Sequence, residues 1–247
     1  METQKETSLE MQSGSYEVLF KVIERLTSED LAHITALYLE YYDGSSEEQV
    51  VEDLQSKSEI LLLLYDGRLV GFTTYELYDV VYISERRRVI YSGDTVVAQA
   101  HWGQQHLAMA WAKRLGEFYR ALDGVPFYWF LIVKGHRTFR YMPAFVHSFY
   151  PHWSYRRDDL KAFVDYLARD KFAQAYDEEL GIIHFPTSQG ELKSDYATAS
   201  PRELKHPAVA FFLERNPNYS QGDELVCICE IKEQNFKPLT KRWIVGK

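Results

Sequence analysis

Apolar and polar positions change period along the chain in a way that defines its elements. Residues 16–26 (YEVLFKVIERL) alternate as a half-buried strand does. Thr27 and Ser28 then offer N-cap hydroxyls, with Glu29 and Asp30 in the turn that the helix dipole favours. Leu31, Ile34, Leu37, Tyr38 and Tyr41 follow at helical spacing up to Gly44, and a short second helix is predicted over 47–54. Residues 59–65 (EILLLLY) and 69–77 flank Asp66-Gly67 and read as a β-hairpin. A strand over 89–97 (VIYSGDTVV) comes next. A helix over 104–122 carries Leu107, Trp111, Leu115, Phe118 and Leu122 on one face and stops at Gly124. Residues 126–133 (PFYWFLIV) form an unbroken apolar run, the pattern of a strand covered on both faces. Pro143 suits the first turn of a helix reaching about residue 150, before Pro151.

Beyond Trp153 the pattern shifts. Asp158 and Asp159 open an amphipathic helix with Leu160, Phe163, Val164 and Leu167 on its buried side. A short strand is predicted over 181–185, a helix over 203–215 and a strand over 225–231. No repeat or low-complexity stretch occurs, and no linker around residues 155–158 is long enough to separate two domains. The expected organisation is a tail over 1–15, a core over 16–154 and an extension over 155–247 packed on the same sheet.

Composition narrows the class. The chain has 247 residues, 46% of them hydrophobic, enough for a substantial core. A formal charge of −8 argues against a general nucleic-acid binder, which shows a basic stripe. Two cysteines, Cys227 and Cys229, are too few for a disulfide framework and fit a reducing, cytoplasmic setting. The polar start METQKETSLEMQSGS suggests a disordered tail, with neither signal peptide nor membrane span expected. Metal chemistry is not expected. The eight histidines are dispersed, and Cys227-x-Cys229 has no second pair to complete a zinc site. No G-x-S-x-G elbow or P-loop is present.

The segment Tyr91-Ser92-Gly93-Asp94-Thr95-Val96-Val97, followed by Ala98-Gln99-Ala100-His101-Trp102-Gly103-Gln104-Gln105-His106-Leu107, resembles the central motif of the Gcn5-related N-acetyltransferases. In that family a strand ending in an acidic and several apolar residues leads through a loop of the form R/Q-x-x-G-x-G/A into a helix. Asp94, Val96 and Val97 match the strand end and Gly103 matches the loop. Trp102, Gln105 and Leu107 depart from it, standing where a basic residue and two glycines are usual. The loop's task is to aim backbone N–H groups at a pyrophosphate from a helix N-terminus.

The resemblance implies an α/β fold (mixed α+β sheet) with splayed central strands and a C-terminal α/β extension. It also implies acyl transfer from acyl-CoA, acetyl-CoA or an acyl carrier protein to a small-molecule amine. Neither a nucleic acid nor a membrane is among the expected partners. Val96, Val97, Trp102, Gly103, Gln104, Gln105 and His106 are the expected donor-binding residues, joined by Lys134 and Arg137 from the basic cluster after the buried strand. The family's base is a carboxylate near the motif strand, here Asp94 or Glu76. Its acid is a tyrosine after the buried strand, here Tyr150 or Tyr141, with His147 as a substitute. A second basic cluster, Arg86-Arg87-Arg88, is expected in a turn. The departures in the loop leave open a catalytically silent binding module, or a different thioester reaction such as decarboxylation or hydrolysis.

Overall fold

The computed structural model describes residues 14–122 and 124–245, so most of the expected tail lies outside the described residues. The chain opens with β1 (Tyr16–Val22), which ends where residues 23–25 tighten into a 3-10 turn. α1 (Ser28–Tyr41) starts under a capping box: Thr27 Oγ1 accepts from Asp30 N at 3.1 Å, and Asp30 Oδ2 accepts from Thr27 N at 2.9 Å. β2 (Tyr42–Asp43) leads to α2 (Glu47–Gln55), which has its own box between Ser46 and Gln49. A meander follows, built from β3 (Glu59–Tyr65), β4 (Arg68–Tyr82) and β5 (Glu85–Val97). Both of its turns use left-handed backbone, at Asp66 and Gly67 and again at Ile83 and Ser84.

α3 (His106–Ala121), β6 (Phe127–Val133) and the short helices α4 (His136–Phe139) and α5 (Tyr141–Phe145) come next. The remainder contains α6 (Asp158–Phe172), β7 (Tyr176–Asp177), β8 (Ile182–Ile183), β9 (Glu191–Leu192) and α7 (Ser194–Ala197). It ends with α8 (Pro207–Arg215), β10 (Glu224–Glu230) and α9 (Pro238–Val245).

Eight strands form one mixed sheet in the order β1-β3-β4-β5-β6-β10-β8-β7. The β5–β6 pair is parallel and the other neighbours are antiparallel. This is the α/β architecture that the resemblance implies. β10, from the far end of the chain, lies directly beside β6.

Period-two alternation sorts side chains onto two faces. Ile90, Trp129, Leu131 and both cysteines pack under α3 and α5, while Val89, Tyr91, Phe130, Val226 and Ile228 pack under α6. α1 and α2 cover Ile60, Leu62, Phe72 and Val96 beside α6's territory. β6 is therefore buried on both sides, as its unbroken apolar run predicts.

Two expectations are corrected. Arg86, Arg87 and Arg88 lie on β5 rather than in a turn. Arg86 and Arg88 pair with Asp79 across the hairpin, and Arg87 lies over the rings of Tyr82 and Phe163. The helix expected over 143–150 stops at Phe145 because the following residues run along β10 and its loop. Tyr150 and Ile228 exchange backbone hydrogen bonds of 2.8 Å each, which extended backbone satisfies and helix does not.

Candidate functional site

The parallel pairing of β5 with β6 runs from Arg88–Phe127 to Ser92–Leu131 and stops there. β5 continues to Val97 and β6 to Val133, so their facing edges separate. The separation coincides with a bulge. Thr74 pairs with Gly93 and Thr73 with Thr95, leaving Asp94 as an extra residue with φ of 27°. A bulge bends its strand and increases the local twist, which turns the end of β5 away from β6. The Thr73 and Thr95 hydroxyls brace the far side at 2.8 Å. The gap opens into a cavity of about 550 Å³, reaching α1 and α2 on one side and α3 and α4 on the other.

Four elements send ionisable groups into this cavity. Lys57, just beyond α2, has a side chain 2% exposed and donates to both Asp53 carboxylate oxygens at 2.6 Å. Its Nζ also lies 3.8 Å from Asp94 Oδ2, to which Thr74 Oγ1 donates at 3.4 Å. Across the gap, Lys134 at the end of β6 pairs with Glu224 at the start of β10 at 3.4 Å. Burial and the neighbouring Asp53 carboxylate push Asp94 up to about 8, against the pull of Lys57 and Lys134. Asp53 moves the other way: burial raises it, but the hydrogen bond with Asp94 and the Lys57 charge hold it below the ordinary range. At neutral pH Asp94 therefore favours its protonated form while Asp53 is ionised. Burial keeps Tyr91, on the cavity floor, fully protonated.

The other end of the cavity is the loop into α3. Gly103 has φ of 86°, a conformation that favours glycine. The N–H groups of His106 and Leu107 donate to Gln104 Oε1 at 2.7 and 3.3 Å. The α3 N-terminus is thus capped by a side chain of its own loop. Trp102 donates from Nε1 to the Val97 carbonyl at 2.7 Å and lies under the Arg137 guanidinium at 4.5 Å.

Residues 185–205 form a strap along the cavity, contributing Phe185, Gln189, Leu192, Tyr196 and Glu203 to its lining. Gln189 O accepts from Lys134 Nζ at 2.7 Å and from the Tyr38 hydroxyl at 3.1 Å. β9 pairs with β2, and the Tyr196 carbonyl accepts from Arg137. The strap passes close to α1 at Gly190 (φ 91°), where a Cβ would come within 2.7 Å of the Tyr38 hydroxyl.

Of the residues expected from the sequence, Asp94, Tyr141, Val96, Val97, Trp102, Gly103, Gln104, Lys134 and Arg137 line this cavity. Five do not. Glu76 faces α6 and takes the Lys171 ammonium at 2.5 Å. Tyr150 is drawn into the backbone bridge with Ile228. His147 is held by backbone, its N–H on Asn235 O at 2.8 Å. His106 stacks on Tyr16 at 4.6 Å, and Gln105 lies outside the lining as the N-cap residue of α3. His136, from the basic cluster expected after the buried strand, also lines the cavity, and Asp53, Lys57 and Glu224 line it without having been expected there. The Asp53–Lys57 spacing of four residues, from the last turn of α2 to the residue just past its C-cap, was the available signal for two of them.

Two buried polar atoms on the lining residues, Trp111 Nε1 and His136 Nδ1, have no hydrogen-bond partner among the described residues. Among the described residues no three metal-binding side chains are grouped to hold an ion, and no helix is long and apolar enough to cross a membrane.

No family model and no curated protein matches the chain. Among solved structures it is similar to N-acyltransferases. One is an acyl-CoA N-acyltransferase from Pseudomonas aeruginosa: 21% identity, TM-score 0.35, 47% of this chain and 79% of that one. Another is a GNAT family N-acetyltransferase from Escherichia coli in complex with CoA: 19% identity, TM-score 0.37, 53% and 69%. A third, from Enterococcus faecalis, is described as a probable N-acyltransferase: 11% identity, TM-score 0.41, 88% and 66%.

Proposed function

We propose that this chain is a Gcn5-related type acyltransferase that moves an acyl group from a pantetheine thioester to the amine of a small molecule. The observation that carries this reading is the loss of β5–β6 pairing at Ser92 and Leu131, beside the Asp94 bulge. It creates a slot with free strand edges, suited to an extended arm that bonds to backbone, and it sets a carboxyl of raised basicity at the closed end.

In this reading Asp94, when ionised, takes the proton from the acceptor's ammonium. The neutral amine attacks the thioester carbonyl to form the C–N bond, the C–S bond breaks to release a thiolate, and the nitrogen gives up its second proton to solvent as the amide forms. Tyr141, kept protonated by its burial, is the lining residue suited to return a proton to that thiolate. With Asp94 near 8, the rate rises with pH towards that value.

The donor is acyl-CoA or an acyl carrier protein. A nucleotide pyrophosphate at α3 would have to displace Gln104 Oε1, whereas a carrier-borne pantetheine need not.

Thermal melts with acetyl-CoA, longer acyl-CoAs, free CoA and an acylated carrier protein test the reading. A micromolar site at millimolar ligand raises stability by about 4 kcal/mol. No shift with any of the four sinks it. The self-capped loop favours one second reading, a silent module that binds such a ligand without turnover. Thiol release with a panel of primary amines separates the two. Release without any amine would instead indicate hydrolysis or decarboxylation.

A further inference from the structure

Lys57 stands beside the Asp94 carboxyl without binding it. Its side chain is 2% exposed, and its Nζ donates to Asp53 Oδ1 and Oδ2 at 2.6 Å each, to Ser56 Oγ at 3.1 Å and to the Asp53 carbonyl at 3.3 Å. An ammonium has three N–H groups, so acceptors at the end of α2 and its C-cap occupy all of them. Asp94 Oδ2 lies 3.8 Å away, outside hydrogen-bond reach.

The division has a chemical consequence. A lysine bound directly to a carboxylate holds it ionised and makes it a poor base. Here Asp53 engages the ammonium, and Asp94 is left with a hydrogen bond from Thr74 Oγ1 and a second carboxylate as its neighbour. No other group facing Asp94 replaces the missing cation. Burial keeps Tyr38 on α1, Tyr42 on β2 and Tyr91 on β5 protonated, and Lys134 on β6 is engaged by Glu224 on β10 and by Gln189 O.

Only a small displacement would change the partners. Moving Nζ by about 1 Å brings Asp94 Oδ2 within the length of a charge-assisted hydrogen bond. A Cβ on Gly93 would lie 3.5 Å from Lys57 Cε and 4.0 Å from Nζ, so the glycine before Asp94 leaves the end of the lysine room to swing.

We propose that Asp53 and Lys57 are positioning residues for Asp94: Asp53 retains the Lys57 ammonium while Asp94 carries its proton, and the ammonium turns to bridge both carboxylates when that proton leaves. The proton passes to solvent, and the lysine stays charged throughout. When Asp94 regains a proton, from water or from a bound ammonium, Lys57 returns to Asp53. Calling Asp94 a base rests on the acyl-transfer reading, whereas the exchange of partners does not.

Crystals of the full-length protein grown about two pH units below and above the Asp94 midpoint measure the exchange directly. The Lys57 Nζ–Asp94 Oδ2 distance is expected to fall from 3.8 Å to about 2.8 Å at the higher pH. Carboxyl NMR of 13C-aspartate-labelled protein supplies the midpoint itself. Asp53→Asn frees the ammonium to settle on Asp94 and removes the adjacent negative charge, so the midpoint should fall by about one to three pH units. Lys57→Met should raise it by about one, and Lys57→Arg should restore most of the difference. A purely structural role would alter stability in these variants without moving the midpoint in opposite directions.

A Lys57–Asp94 distance that is the same at both pH values overturns the proposal, and this test needs no variant to fold. So does an Asp94 midpoint unchanged by Asp53→Asn. Either result leaves the acyl-transfer reading intact. On that reading the acid limb of thiol release follows the Asp94 midpoint in each variant. A midpoint that moves while the limb stays in place removes Asp94 as the base and leaves the role of Asp53 and Lys57 standing.

Discussion

The two ends of one cavity satisfy their polar groups by opposite means. At the bulge, Asp94 on β5 is surrounded by charges from α2 and from the segment after it, and Lys134 and Glu224 close the far wall from β6 and β10. Its partners lie on α2 and just beyond it, at the end of β6 and at the start of β10, all distant from Asp94 in the chain, and the arrangement holds the proton on Asp94 beside an ionised Asp53. At α3 the donors of the helix N-terminus are met by Gln104, two and three residues away. Long-range pairing produces a group with shifted basicity. Local pairing produces a quiet, capped helix. The difference indicates where chemistry is stored and where ligand access has to be won.

The largest effect expected is at the bulge. On the proposed acyl-transfer reading, Asp94→Asn removes the proton acceptor and should lower turnover by about 10²- to 10⁴-fold once a donor and an amine are in hand. The same variant tests the basicity without a substrate. Asp94 titrates near 8 in the folded chain against an ordinary value of 3.8, so the native state holds its proton more tightly. Its contribution to stability is complete below the ordinary value and is lost as pH rises through 8. Asparagine does not titrate, so the melting temperature of the variant relative to wild type should climb between pH 5 and 8. A flat difference would show that Asp94 is an ordinary carboxylate.

The far wall should answer with a stability change instead. The Lys134 and Glu224 side chains are 11% and 8% exposed, so Lys134→Met strands a buried carboxylate. The cost is about 3–5 kcal/mol at neutral pH, read by urea unfolding. Glu224 is raised by burial, so the cost shrinks in acid as it protonates. Adding Glu224→Gln should recover most of the loss. A double variant as unstable as the single one would mean that the lysine acts through packing on the Tyr42 ring, 5.6 Å from its Nζ.

How much of this could be read from the sequence follows the same division. Elements set by local periodicity and caps are predicted well, because Thr27, Ser46 and the Asp66-Gly67 turn act within a few residues. The motif segment indicated Asp94 and the loop, since both are contiguous. Lys57 and Glu224 were missed because only the β6–β10 pairing and the turn after α2 bring them to the cavity. Tyr150 failed for a related reason. A tyrosine before proline at a predicted helix end carries no mark of a strand bridge to Ile228, some 80 positions onward. Glu203 and the strap were unreadable, because their contacts join residues 185–205 to α1, β6 and α4.

The smallest effect is at Gln104, and there the direction matters more than the size. Gln104→Ala removes the acceptor for two helix N–H groups and should cost about 1 kcal/mol, measured by thermal or urea unfolding. The freed donors then face the cavity, so affinity for acetyl-CoA should rise severalfold if its pyrophosphate binds there. Gln104→Glu keeps the cap and adds a charge that the helix dipole welcomes, gaining a few tenths of a kcal/mol. It should weaken acetyl-CoA by repelling the same phosphates. Opposite shifts in affinity from the two variants, with stability also moving in opposite directions, would place a nucleotide at α3. Equal affinities in both, alongside retained binding of an acylated carrier protein, would mean that the capped helix lies off the donor's path and that the bulge end alone defines the site.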